Sequence, residues 1–359
     1  MKGVTVIPRR PKSAALRDVP EPSNDEGPVL VESVAVGVCG TDEEIIAGDY
    51  GWPPPGHDHV VLGHESLGRV LDAPSDAPVS PGDAVVAFVR HPDPDPCVNC
   101  GVGEWDMCRN GRYTEHGIKE RDGFMRERYR LQSHHLVRVD PSLGHEAVLL
   151  EPTSVVAKCW DHADRIASRA EVDFRRALIT GAGPVGLLAA MIAIQRGLET
   201  HVLDRVTDGP KPELVTELGA TYHTDIDRLG HDLDVVIECT GVGELAFHAL
   251  RHVAPNGVVA LAGLSGSDRR YPVEADALNK ELVLENIALF GSVNAGRRHY
   301  EAAARALSQA RPGWLKRIIT RRVSLERWED AFTRQPDDVK VVVDIRPDPR
   351  RTVGPTDVP

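Results

Sequence analysis

The sequence predicts an α/β protein made of a β-rich domain followed by a doubly wound parallel sheet, and three observations predict it. The chain has 359 residues, enough for two domains that each bury a core. Residues 1 to about 150 carry short β-rich runs separated by Pro, Gly and Asp, the pattern of a small barrel or rolled sheet. From about Pro152 to Asn294, strand-like and helix-like stretches alternate, as they do when helices cover both faces of a parallel sheet.

In the first domain the β-rich runs fall at 4–7, 29–36, 67–71, 84–89 and 135–139. Cys39-Gly-Thr-Asp42 follows the second run, and Gly63-His-Glu-Ser-Leu-Gly68 follows a loop rich in His and Pro. Thiolate, imidazole and carboxylate are ligands that zinc prefers, and a catalytic zinc keeps one position open for water or substrate. Cys39 and His64 therefore read as two ligands. The third is Glu151, in Leu149-Leu-Glu-Pro-Thr153 at the domain junction, or Glu65, which ligates directly or exchanges with a water. Thr41 has two readings: a hydroxyl that passes a proton outward, or a cap on the helix begun by Asp42-Glu-Glu-Ile-Ile. His57 and His59 read as solvated residues or substrate contacts.

Cys97, Cys100 and Cys108 lie within 12 residues. In a reducing compartment such a cluster reads as metal ligands rather than a disulfide framework. Asp93 or Asp95 would supply an oxygen ligand beside them. Cys159 and Cys239 sit alone in apolar surroundings and read as small core residues.

The second domain opens on a strand at 177–180, then Gly181, Gly183 and Gly186 at G-x-G-x-x-G spacing, then an apolar helix that ends at Gly197. This strand–turn–helix context is the dinucleotide-binding fingerprint of the Rossmann fold. Gly181 allows the turn and Gly183 admits the pyrophosphate. Pro184 and Val185 open the helix, whose unpaired N–H groups face the phosphates, and Gly186 lets helix and strand pack. A strand at 200–203 ends in Asp204, placed to bond the adenosine ribose, with Arg205 next to it. Further strands are expected at 221–223, 235–239, 258–262 and 288–290, then a helix at 298–310 and a late strand at 339–345. The last dozen residues are expected to fray.

Composition narrows the partners. Lys and Arg total 42 against 54 Asp and Glu, a net charge of −12, which argues against nucleic acid and anionic membranes. No apolar run reaches the length of a membrane span, and two prolines interrupt the N-terminus too early for a secretory core, so the expected compartment is the cytoplasm.

Taken in order, Cys39-Gly-Thr-Asp42, Gly63-His-Glu-x-x-Gly68, Gly82-Asp83, the cysteine lobe and Gly181-x-Gly-x-x-Gly186 resemble the zinc-dependent medium-chain dehydrogenases over essentially the whole chain. Val89-Arg-His-Pro92, Gly111-Arg-Tyr-Thr-Glu-His-Gly-Ile118, Asp122-Gly-Phe124 and Gly291-Ser-Val-Asn294 resemble its glucose 1-dehydrogenase branch. That resemblance implies a GroES-like catalytic domain over 1–152, a Rossmann domain over 153–294, and a segment at 295–359 that returns to the first domain. It implies oxidation of an aldose, D-glucose foremost, at C1 to the lactone, with hydride passed to NAD or NADP. It places Cys39, His64 and either Glu65 or Glu151 around a catalytic zinc, with Thr41, Glu115, Glu151 and Asn294 toward the substrate. Glu115 alternatively forms an ion pair with Arg112 or Lys119. The family's structural zinc lobe uses four cysteines; Cys97, Cys100 and Cys108 match the second, third and fourth, and the first falls here on Pro94, which cannot ligate. The resemblance thus implies an occupied structural zinc, with a metal-free lobe as the alternative. A homo-dimer or homo-tetramer is the family expectation.

Asp204 repels a 2′-phosphate, whereas Arg205 attracts one; with Asp204-Arg-Val206 in place of the Gly-Arg-Arg of NADP-preferring relatives, NAD is expected to be preferred, with residual NADP use. Two competing readings keep parts of this picture. One changes the substrate to a polyol, an amino alcohol or a secondary alcohol; the other is a non-catalytic dinucleotide-binding protein.

Overall fold

The computed structural model describes residues 1–171, 173–266 and 269–346. The last dozen residues, expected to fray, lie outside the described residues. The chain forms two compact units, one of residues 1–98, 108–149 and 321 onward, the other of residues 99–107 and 150–320.

In the first unit, the strand Val29–Gly37 alternates buried and half-buried side chains over most of its length, so one face goes to the core. It pairs antiparallel with Glu65–Asp72, Arg128–Leu131 and Lys340–Asp344, at the centre of a seven-stranded sheet that also holds Leu136–Arg138, Ala84–Ala87 and Ile319–Ser324. Val31, Val36, Val60, Leu62, Phe124 and Tyr129 fill the interior. Two connections around this core carry Cys39 and His64.

The second unit is a six-stranded sheet ordered Thr221–His223, Glu199–Leu203, Arg176–Thr180, Leu233–Glu238, Val253–Leu261 and Ala288–Gly291, with every pairing parallel. The first strand in sequence lies in the middle and the order reverses beside it, which is the Rossmann arrangement with its ligand crevice at the carboxyl ends of the central strands. The helix Pro184–Gln195 is buried along most of its length, which explains why its sequence is apolar on every side.

The boundaries differ from the sequence expectation. They fall at 149/150 and 320/321 rather than at 152/153 and 294/295. The first moves because Leu150–Ala167 is one continuous helix that begins before Pro152; proline is tolerated in its first turn, where no intrahelical partner is lost. The second moves because the helix Arg297–Ser308 packs along Leu150–Ala167 and so stays with the parallel sheet. Only residues from Arg321 onward join the first unit.

A side chain at Gly186 has nowhere to go: a Cβ there would sit 1.8 Å from the Gly181 carbonyl oxygen, whereas at Gly183 it would meet nothing within 4 Å. Gly186→Ala should therefore cost about 3 kcal/mol of stability and lower the thermal midpoint by about 5–10 °C. Gly183→Ala should leave the ligand-free midpoint unchanged and weaken nucleotide binding instead. Differential scanning fluorimetry with and without nucleotide reads both.

Candidate active site

The register of two strands builds the metal centre. Gly37 pairs with Glu65, so the chain leaving one strand at Cys39 and the chain entering the other at His64 run side by side. The ligand atoms of Cys39, His64 and Glu65 come within 4.8 Å of one another. Cys39 is the N-cap of the helix Gly40–Ala47, and Asp42 in the first turn is completely buried. One Asp42 oxygen accepts the Cys39 backbone N–H at 3.0 Å, and the other lies 3.3 Å from His64 Nδ1. A carboxylate on Nδ1 holds the proton there and leaves Nε2 as the lone pair for a metal. Burial opposes a charge on His64, yet the Asp42 carboxylate and Cys39 outweigh it and raise the imidazole pKa well above its ordinary value. Soft sulfur, imidazole and carboxylate with a carboxylate behind the imidazole fit zinc.

Glu65 has a second partner. Its carboxylate pairs with the Lys340 ammonium, both groups being buried, and Lys340 also donates to the Val38 carbonyl at 2.9 Å. Glu151 belongs to the other unit, where it is buried in the first turn of Leu150–Ala167. Thr41 is not the helix cap. The helix starts at Gly40, Cys39 occupies the cap position, and the Asp42 carboxylate satisfies the Cys39 N–H, which leaves Thr41 half-buried inside the first turn. His59 is paired with Asp58 at 2.8 Å, and His57 is exposed.

Glu115 pairs with Arg90, a partner that the sequence does not point to. It sits opposite Arg90 in a short antiparallel ladder, and Arg90 Nε and Nη2 lie 3.0 and 2.9 Å from its Oε1, with both residues buried. The Tyr113 ring stacks 3.7 Å from the Arg90 guanidinium. Arg112 instead bridges Asp93 and Asp95, at 3.3 Å to each. Lys119 donates to the Gly111 carbonyl at 2.6 Å. Asn294, in the second unit, is buried with a left-handed backbone (φ 59°), and its Oδ1 accepts the Ala295 N–H at 2.8 Å.

The cysteine lobe gathers the sulfurs of Cys97, Cys100 and Cys108 within 4.8 Å of one another. Cys97 Sγ accepts the Arg109 backbone N–H at 3.4 Å, the kind of bond that stabilises a thiolate, and Asn99 braces the lobe through the Met107 carbonyl at 2.7 Å. Three converging thiols fit a structural zinc. Asp93 and Asp95 are outside this group, because Arg112 and the Asp95 N–H engage them. Cys159 and Cys239 lie in the second unit, and burial pushes both thiols up, that of Cys159 to about 11.

At the nucleotide turn, Gly183 is the N-cap and Pro184 the first residue of a 12-residue helix, with Val185 and Gly186 following. Asp204 closes the turn from the side. Its carboxylate accepts the N–H groups of Ala182 at 2.7 Å and Val206 at 3.1 Å and lies 3.4 Å from Lys211 Nζ. Burial alone would raise the Asp204 pKa, but these backbone bonds and Lys211 hold it below the ordinary carboxylate value. Arg205 is exposed. The sequence reading passed over Glu238, which accepts from Thr240 N at 2.6 Å and Gly241 N at 3.1 Å at the end of a central strand.

A sheet-built unit that offers Cys, His and Glu to one ion, together with a Rossmann unit, defines the class of zinc-dependent medium-chain dehydrogenases. Residues 25–141 match the alcohol dehydrogenase GroES-like domain, and residues 144–345 match the glucose dehydrogenase C-terminus. The chain belongs to the glucose 1-dehydrogenase family of that class. It is 39% identical over 357 residues to the glucose 1-dehydrogenase of Methanocella arvoryzae, covering 96% of this chain and 99% of that one. With the enzyme of Thermoproteus tenax the identity is 41% over 358 residues, covering 96% and 100%. Among solved structures, Haloferax mediterranei glucose dehydrogenase in complex with NADP, Zn and gluconolactone superposes with a TM-score of 0.88 at 33% identity, covering 97% of this chain and 100% of that one. Among the described residues, no helix is long and apolar enough to cross a membrane.

Elemental analysis separates the two metal centres. Cys39→Ser should remove about one zinc per chain and the activity with it, while Cys100→Ser should remove about one zinc and lower the thermal midpoint. Unchanged zinc content in either variant overturns the corresponding assignment.

Proposed function

We propose that this protein oxidises an aldose, D-glucose foremost, at C1 to the lactone, passing hydride to NAD or NADP. The observation that carries the reading is the convergence of Cys39, His64 and Glu65 in a chain that matches glucose 1-dehydrogenases from end to end. In the reaction C1 loses a hydride, its hydroxyl loses a proton, and the C=O bond forms between them. Cys39, His64 and a glutamate would hold a zinc ion, which would act as a Lewis acid and make the C1 hydroxyl more acidic. Glu65 is the candidate third ligand within one unit, and Glu151 is the candidate from the other unit, as ligand or as substrate contact.

The chain's own residues do the rest. Asp42 orients His64 and the Cys39 backbone, so the ligand geometry is set before metal arrives. The Thr41 hydroxyl takes the C1 hydroxyl proton and passes it outward. Glu115 accepts a sugar hydroxyl, and the Arg90 fork fixes where its carboxylate stands. Asn294 contributes a side-chain amide to another hydroxyl. The N-terminus of Pro184–Gln195 holds the pyrophosphate, with Gly183 admitting it close to the backbone.

NAD is the preferred cofactor in this reading, because the ionised Asp204 repels a 2′-phosphate, and exposed Arg205 leaves some NADP use. Two further features support a cytoplasmic homo-oligomer. All six cysteines are free, and Ala288–Gly291 is an edge strand with Leu289 partly exposed beside exposed Val293.

A panel of aldoses, polyols and secondary alcohols, assayed with NAD and NADP with and without a chelator, tests the reading. D-Glucose should give the highest kcat/KM, and chelation should abolish turnover. A polyol ahead of every aldose would overturn the substrate assignment. Asp204→Gly should raise the NADP-to-NAD ratio of kcat/KM by about tenfold or more, the size of one removed charge repulsion; an unchanged ratio removes Asp204 from cofactor choice.

A further inference from the structure

We propose that Lys158 is a positioning residue for Asn294, acting through the Val293 carbonyl, with Asp106 as its fixed counter-ion. The inference deepens the proposed function, since it rests on the reading of Asn294 as a substrate contact.

Lys158 lies on the helix Leu150–Ala167 and is 1% exposed. A buried ammonium is costly unless strong partners replace its water. Lys158 Nζ has an Asp106 oxygen at 2.8 Å and the Val293 carbonyl oxygen at 2.9 Å. These partners come from separate segments, the turn Trp105–Met107 and the connection that follows the strand Ala288–Gly291. One cation therefore ties two otherwise unrelated pieces of chain.

The grip closes from the other side as well. Asp106 stands against Gly296, the N-cap of the helix Arg297–Ser308, where a Cβ would come 2.6 Å from its Oδ1. A carboxylate is favoured at such a helix start. The Gly296 N–H is held in turn by His299 Nδ1 at 3.0 Å. Residues 293–296 are thus held at both ends, by Lys158 at Val293 and by His299 at Gly296, with Asp106 packed against Gly296. Side-chain packing does not explain the first anchor, because the Val293 residue is 64% exposed. Between the anchors, Asn294 has a left-handed backbone, which asparagine adopts more readily than other non-glycine residues, and its Oδ1 accepts the Ala295 N–H. Freed from Lys158, the Val293–Asn294 peptide can rotate and the amide turns away from its set direction.

The test is a set of holoenzyme variants read by glucose KM, nucleotide KM, kcat and thermal midpoint. Lys158→Met alone strands a buried carboxylate, which is strongly destabilising, so it is combined with Asp106→Asn. Asn294→Ala and the Lys158→Met/Asp106→Asn pair should each raise glucose KM by about tenfold, the weight of one substrate hydrogen bond, with nucleotide KM unchanged. The triple variant should be no worse than Asn294→Ala, since the amide it would misplace is already gone. Multiplicative losses of about a hundredfold, or a normal glucose KM in the Lys158/Asp106 pair, would overturn the proposal. If Asn294→Ala itself leaves glucose KM unchanged, the substrate role of Asn294 fails and the positioning role falls with it. Should the paired variant not fold, Gly296→Ala displaces Asp106 from the other side and should raise glucose KM without adding to Asn294→Ala; a normal KM there overturns the proposal equally.

Discussion

The metal centre depends on one buried carboxylate. Asp42 spends one oxygen on the Cys39 backbone and turns the other to His64, so the sulfur and the imidazole are referred to a common support. The antiparallel pairing of Gly37 with Glu65 then brings the Glu65 carboxylate, a candidate third donor, alongside. A single residue's slip in that register would send Glu65 to the opposite face of its strand. The hydrophobic alternation of Val29–Gly37 guards against such a slip, because it would also turn the buried valines to solvent.

Much of this was legible in the sequence, for a physical reason. The glycine motif and the cysteine lobe are local, since their residues lie a few positions apart. Cys39 and His64, 25 residues apart, were legible by ligand type and motif and are brought together by strand pairing. The partners that complete the site are not local. Lys340 reaches Glu65, Arg90 reaches Glu115, and Lys158 reaches Asp106 only through the tertiary fold, and a solitary basic residue carries no pattern that names its acid. Asp42 was visible as part of its motif, yet its double role needed the register. The reading of Thr41 as a cap went astray by placing the helix start too late, since a cysteine is not an ordinary cap and the helix opens on Gly40. The first domain boundary moved because the helix Leu150–Ala167 starts two residues before Pro152, which the first turn of a helix accommodates.

The three buried ion pairs share a design. Each joins a buried cation to a buried acid: Arg90 to Glu115 and Lys340 to Glu65, both acids of the proposed site, and Lys158 to Asp106. Buried pairs of this kind contribute little net stability, because desolvation offsets most of the attraction. What they supply here is direction. A carboxylate with a fixed guanidinium or ammonium beside it has one preferred orientation, and a site that must recognise a polyhydroxylated molecule needs its acceptors held still.

Asp204 combines two duties that are usually separate. In the proposed function Asp204 chooses the coenzyme, and in the structure the same carboxylate accepts the Ala182 N–H between the first two glycines of the motif and the Val206 N–H beyond its own strand. Coenzyme selectivity and the shape of the phosphate turn therefore share one side chain. Replacing Asp204 to admit a 2′-phosphate would therefore also release the Ala182 and Val206 N–H groups that it holds, so a switch of coenzyme needs a substitute strut for the turn as well as the exposed cation Arg205.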